Sequence, residues 1–371
     1  MINQRKKLII CLDGVGYDQI SKINTPFLDK LKRKDKLAEL KTIYAGIGIE
    51  FSFFSGQLPD KHNIWFEFIK KDNSLLRYVK PFSIFGRGIT DYVFIAIQIL
   101  AGRTQLSKTY NIPFKLLDKF DASPVGKIWQ LSLFQRKRYI YYKWPFFVKN
   151  NQPRLIFRLE RDEDRIKRVI DNLSDKIDLY CTHLVGLDKI VHQYGIKHNK
   201  AITKLREIDK LSEKYYYRFL ERFPKGEVYY WSDHSFCDIR NYIDIQSLMP
   251  RSKEYLAFYG GTHISFWFDN EIIKNKIIKI LSSIKQGCIL TKEDRINQHI
   301  PLDKRHGQLI FAIKPGNHIC PNYYQKSNNE FVAMHDYDTR LFDKNGILAS
   351  NKRISQKRIA LSQVKSIIEK L

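Results

Sequence analysis

Asp188 and His192 stand four residues apart in Gly186-Leu187-Asp188-Lys189-Ile190-Val191-His192, and the pair Asp233-His234 follows further along the chain. A third carboxylate, Asp13, closes the apolar run 8–12 and is followed by Gly14. Carboxylate oxygens are hard ligands and imidazole nitrogens borderline ones, so the mixture suits divalent zinc, manganese or iron. On a helix, positions i and i+4 share a face, and one turn can present Asp188 and His192 to the same ion. Adjacent residues such as Asp233 and His234 converge on one ion only in a tight loop, and the run 227–231 reads as a strand leading into one. Ligands of open α/β sheets bind at the carboxyl ends of the strands, where Asp13 is expected. Singly these signs are weak. An Asp after a strand also serves as an N-cap, and Asp-x-x-x-His is more often a solvated surface pair. Their joint occurrence, each after a strand, points to a two-ion site with hydrolytic chemistry.

The elements that must position these residues alternate between strand and helix. Strands are expected at 8–12, 38–44, 177–184 and 227–231, and helices at 50–55, 160–174 and 200–223. A helix starting at Pro26 takes Thr25 as N-cap and proline at the first helical position. Gly56 ends the helix before it. Leu205, Ile208, Leu211, Tyr215 and Phe219 give the long helix an apolar stripe of 3–4 spacing. The rhythm predicts an α/β sandwich with a mostly parallel central sheet. It breaks at 66–155, where aromatic and basic residues interleave as in Arg136-Lys137-Arg138-Tyr139-Ile140-Tyr141-Tyr142-Lys143-Trp144. That stretch reads as a cap insertion. Such interleaving can bind single-stranded nucleic acid by charge and stacking, or simply pack its own aromatics. Arg77, Arg87 and Arg103 are candidate anion contacts there, with nothing to select one. A smaller α+β insertion is expected at about 240–330, with strands 263–268 and 309–313 and a helix 271–284, and a helix 361–371 closes the chain. The core is thus 1–65 and 156–371.

With 371 residues, 43% of them hydrophobic, the chain can bury a sizeable core. Its formal charge of +25 favours a polyanionic neighbour, such as a phosphorylated glycan, nucleic acid or an anionic membrane face, although a Lys- and Asn-rich composition bias gives the same number. Cys11, Cys181, Cys237, Cys288 and Cys320 are odd in number and lack Cys-x-x-Cys spacing, as expected of reduced thiols in a cytoplasmic protein. Lys6-Lys7 leads straight into the first strand, with no signal-peptide pattern. The longest apolar stretch, 92–101, is too short for a hydrocarbon core of about 30 Å, so membrane contact is expected to be peripheral at most.

In order along the chain, Leu12-Asp13-Gly14-Val15-Gly16, Thr25-Pro26-Phe27-Leu28-Asp29-Lys30-Leu31, Ser55-Gly56-Gln57-Leu58-Pro59-Asp60-Lys61-His62, 186–195, Ser232-Asp233-His234 and 334–338 resemble the alkaline phosphatase superfamily, in its type I phosphodiesterase/nucleotide pyrophosphatase branch. The resemblance spans nearly the whole chain except the cap. It implies an alkaline phosphatase-like three-layer sandwich with two divalent ions, zinc first, with manganese or iron also compatible. One ion would take Asp188, His192 and His335, and the other Asp13, Asp233 and His234. Three protein ligands leave each ion an open position for a substrate oxygen.

The branch's Thr or Ser nucleophile, counted back from the glycine matching Gly56, falls on Gly46, which has no side chain. Asn63 and Asp336 stand where the branch usually has glycine. Three readings stay open. Metal-bound water attacks directly; or Thr42 or Ser52 supplies the hydroxyl; or catalysis is lost and the site only binds. Gly46 and Gly48 are candidate substrate contacts through their backbone N–H groups. His62 resembles the histidine that supports the nucleophile loop, while His183, His263 and His306 read as structural. The expected function is hydrolysis of a phosphodiester or pyrophosphate bond in an anionic phosphorylated substrate. Sulfate esters are weaker candidates for want of a Cys-x-Pro-x-Arg segment, and mutase-like transfer for want of a serine. The alternative is a non-catalytic protein that holds metal and a phosphorylated or polyanionic ligand.

Overall fold

The computed structural model describes residues 5–103, 106–123, 131–156, 158, 160–327 and 331–370. Parts of the expected cap (104–105 and 124–130), the end of the expected insertion (328–330) and Leu371 of the closing helix lie outside the described residues.

Three consecutive neighbours in the central sheet are Glu227–Trp231, Lys7–Leu12 and Leu179–Leu184, all parallel. Buried on both faces, parallel strands read as continuous apolar runs, and Lys7–Leu12 is buried from Leu8 onward. The full sheet has nine strands, in the order Arg358–Ala360, Leu37–Lys41, Gly346–Ser350, Glu227–Trp231, Lys7–Leu12, Leu179–Leu184, Tyr139–Lys143, Phe146–Lys149, Gln152–Leu155. Gly346–Ser350 and Phe146–Lys149 run against their neighbours, so the sheet is mixed. One apolar layer covers each face. Helix Gly48–Ser55 and the C-terminal segment pack on one side, and helices Pro26–Arg33, Asp162–Ile170 and Asn199–Arg222 on the other.

Residues 139–155, expected in the cap, instead supply three strands of this sheet. Their aromatics are core: Tyr139, Ile140, Tyr141 and Tyr142 are all buried. Two of the basic residues beside them are paired, Arg138 with Asp178 and Lys143 with Glu50. Much of the interleaving is therefore packing and ion pairing, with Trp144 left exposed. The remainder of the cap and the α+β insertion are not separate units either. Strands Phe68–Lys70 and Phe120–Ala122 pair with each other. Phe68 stacks on Phe258 at 5.3 Å, and Phe120 meets Trp267 at 5.9 Å. They share one apolar core with the antiparallel sheet of Tyr255–Tyr259, His263–Phe268, Leu309–Ile313 and Gly287–Ile289. No helix among the described residues is long and apolar enough to cross a membrane.

Thr25 does not cap helix Pro26–Arg33; its hydroxyl donates to Ser21 O instead. Asp209, from the middle of the long helix, accepts the Phe27 and Leu28 amides at 3.0 Å each. This long-range cap fixes one helix on the other and has no local sequence signature. Asp209→Ala strands two buried N–H groups and is expected to cost about 2 kcal/mol, read from the urea midpoint at unchanged slope.

Candidate metal centre

The three central parallel strands end side by side, and each is followed within four residues by a candidate ligand. Leu12 lies opposite Leu184, and Cys11 opposite Trp231, so Asp13, the turn into Asp188 and the Asp233 loop emerge at one sheet edge. Helix Gly186–Tyr194 carries Asp188 and His192; Asp162 holds its start by accepting the Val185 and Gly186 amides. His335 arrives on the short strand Ala333–Met334, which pairs with Cys237–Asp238 just beyond His234.

The six residues form two groups, Asp188–His192–His335 and Asp13–Asp233–His234, with donor atoms within 4.8 Å of one another in each group. Asp188 Oδ1 lies 3.4 Å from His192 Nε2, 3.6 Å from His335 Nε2 and 3.9 Å from His234 Nε2, so it borders both. His234 Nε2 lies 3.4 Å from Asp13 Oδ1 and 3.5 Å from Asp233 Oδ2. The imidazoles are held by packing. His234 and His335 stack at 3.6 Å, Phe331 stacks on His192 at 4.5 Å, and Phe236 stands edge-on to all three.

The donor set fits cations. His192 Nδ1 donates to Ala333 O at 2.9 Å, which fixes the ring with Nε2 facing Asp188 and His335, the atom an ion would take. Burial and then the Asp13 charge push Asp233 up to about 6. Burial also opposes ionisation of Asp13, but His183 and His234 outweigh it and hold Asp13 well below the usual carboxylate range. Burial disfavours charge on His234 as well, yet Asp233 and Asp13 raise it to about 10. Carboxylates that keep protons on buried imidazoles create a field that a divalent ion would satisfy equally well.

His183 is expected from the sequence to be a core histidine. It is buried, but its Nε2 lies 2.7 Å from Asp13 Oδ2. Glu50 stands behind it, 3.9 Å from His183 Nδ1, and is itself held by Lys143 and by Tyr141 OH at 3.1 Å. The only sequence signal is a histidine one position from the end of a parallel strand, which the structure pairs with Cys11, two residues before Asp13. His183 orients a candidate ligand, so His183→Ala is expected to weaken zinc affinity by about 10–100-fold in a chelator competition. A packing role alone would lower stability and leave the affinity unchanged.

The candidate nucleophiles fare differently. A Cβ on Gly46 would lie 2.9 Å from Phe66 Cδ1 and 3.5 Å from Asp336 Oδ2. Phe66 is fixed there by His263, with ring centroids 4.0 Å apart, and by Trp65 at 4.7 Å. The amides of Gly46 and Gly48 both donate to Trp65 O, at 3.1 and 3.2 Å. They are not the oxyanion cradle expected of them, because the chain's own carbonyl already takes both donors. Thr42 Oγ1 donates to Asp233 O at 2.7 Å and supports the ligand loop. Ser52 is fully buried and donates to Gly48 O. Its neighbour His62 accepts the Ile64 amide on Nδ1, so Nε2, 3.0 Å from Ser52, carries the proton and cannot act as a base. Asn63 and Asp336, at positions where the branch uses glycine, both have φ of +59°, a conformation Asn and Asp tolerate better than other side chains. The Asp336 carboxylate thereby reaches His335 Nδ1 at 2.9 Å, a contact missed from sequence. His306 is buried and lies 3.1 Å from Asn63 Oδ1, a structural role as expected.

Comparison with known proteins adds a family and a fold. The type I phosphodiesterase / nucleotide pyrophosphatase family model matches residues 98–338. Among solved structures, the chain is similar to murine ectonucleotide pyrophosphatase/phosphodiesterase 5 in an inactive threonine-to-alanine form complexed with AMP. That match has 14% identity and a TM-score of 0.68, and covers 98% of this chain and 94% of that one. The human protein of the same name matches over the same shares at 16% identity and a TM-score of 0.63. No curated protein sequence matches.

Proposed function

We propose that this chain, which belongs to the type I phosphodiesterase/nucleotide pyrophosphatase family of the alkaline phosphatase superfamily, is a two-metal phosphoester hydrolase in which water, and no protein side chain, attacks phosphorus. The observation that carries the reading is the pairing of two candidate ligand triads with a glycine at the expected nucleophile position, where a Cβ would lie 2.9 Å from Phe66. Divalent ions held by the triads, zinc foremost, would neutralise the phosphoryl oxygens and acidify a water. Asp13, Asp233 and His234 would hold one ion, and Asp188, His192 and His335 the other. Phe236 and Phe331 keep the imidazoles in place and exclude bulk water from their rings. His183 and Glu50 fix Asp13. The substrate class is a phosphodiester or pyrophosphate, in keeping with the AMP complex of the murine relative.

A second reading, a metal-dependent binder of a phosphorylated ligand without turnover, draws on the murine relative that is inactive as its threonine-to-alanine form. The two part on one experiment. Protein stripped with chelator and reloaded with zinc or manganese is assayed on bis-p-nitrophenyl phosphate and on p-nitrophenyl thymidine monophosphate. Metal-dependent release of nitrophenol supports the hydrolase. Metal-dependent AMP binding without release supports the binder.

A further inference from the structure

Helix Arg87–Leu100 packs Phe94, Val93 and Ile97 on the core and still leaves an apolar stripe in solvent. Its buried side carries Thr90, Phe94 and Gln98, and the two polar ones are satisfied internally. Thr90 Oγ1 donates to Gly86 O, while Gln98 exchanges hydrogen bonds with the backbone of Ser107. The stripe facing solvent is Ile89, Tyr92, Ala96 and Leu100, spaced three and four apart on one face. Tyr92 is 77% exposed and Leu100 87%. Just before the helix, Ile84 at 81% and Phe85 at 62% extend the apolar surface at its N-terminal end. An isolated exposed leucine needs no explanation, but a contiguous apolar face of this kind marks an interaction site.

Charge selects the occupant. Arg77, Lys115 and Lys119 are exposed on the neighbouring turns. Of the nearby carboxylates, Asp118 pairs with Lys80 at 3.0 Å and Asp91 accepts from Thr109, while Asp72 is exposed, so cations still outnumber carboxylates on these turns. The molecule as a whole carries +25, which repels a second copy and attracts a negatively charged surface. Apolar side chains flanked by cations are the pattern of a helix that lies in a bilayer interface. We propose that residues 78–100 dock the protein on an anionic lipid surface, with Ile84, Phe85, Ile89, Tyr92 and Leu100 entering the headgroup–acyl boundary.

The test uses the full chain and vesicles of phosphatidylcholine with 30% phosphatidylglycerol, against pure phosphatidylcholine. The expected result is co-sedimentation with the anionic vesicles, weakened in 0.5 M salt and weakened about tenfold or more in Ile84→Ser/Phe85→Ser/Tyr92→Ser. These side chains are exposed, so circular dichroism should stay that of the wild type. No binding to anionic vesicles overturns the proposal. So does binding that the triple substitution leaves intact. Self-association in sedimentation velocity that the same substitutions abolish, without vesicle binding, also overturns it and assigns the face to a second copy.

Discussion

Asp188→Asn is expected to lower metal-dependent phosphodiester hydrolysis by about 10³-fold or more, equivalent to roughly 4 kcal/mol, with the fold intact. Asp188 Oδ1 is within 3.9 Å of the Nε2 atoms of His192, His335 and His234, so one carboxylate borders both triads. The asparagine keeps the shape and removes the charge, which separates ligand chemistry from packing. Metal content should fall with activity, from two ions per chain towards one or none. Asparagine at 188 with full activity and two bound ions would remove Asp188 from the site. Loss of activity with both ions retained would move its role from holding metal to substrate.

Gly46→Thr is expected to yield no gain in hydrolysis and to cost about 1–3 kcal/mol of stability. If Gly46 were merely a lost nucleophile, restoring the hydroxyl would raise activity. The Cβ alone would press within 2.9 Å of Phe66, whose ring is pinned by His263 and Trp65. The neighbouring Gly48 is tighter still, since its Cβ would meet Ile64 O at 2.4 Å. Phe66→Ala should cost less stability in the Gly46→Thr background than in the parent, because it opens the space the new side chain needs. The measurements are the urea midpoint and turnover of bis-p-nitrophenyl phosphate. A threonine variant more active than the parent, with a burst of product, would show the site still built for covalent catalysis.

The candidate ligands were legible because ends of parallel strands announce themselves. Asp13-Gly14 after 8–12 and Asp233-His234 after 227–231 needed only an apolar run and a turn, and the i, i+4 spacing of Asp188 and His192 needed only a helix. The convergence of His335 rested on the family resemblance alone. What failed to show was set by long-range packing. Strands Tyr139–Lys143 and Phe146–Lys149 looked like a basic, aromatic cap because the partners of their cations, Asp178 and Glu50, lie far away in sequence. His183 looked like core because its partner, Asp13, sits on the adjacent strand. The amides of Gly46 and Gly48 looked available because the carbonyl they meet, Trp65 O, belongs to the segment beyond the next helix. The fusion of cap and insertion into one lobe arises from contacts such as Phe68 on Phe258, which no local pattern encodes.

The most direct measurement is the stereochemical course at phosphorus. A phosphorothioate diester of known configuration is hydrolysed by the metal-loaded protein in ¹⁸O-labelled water, and the configuration of the product is assigned by ³¹P NMR. Attack by water in a single displacement predicts inversion. Retention would require a covalent phosphoryl-enzyme, and so a side-chain nucleophile near Gly46, and would contradict the account.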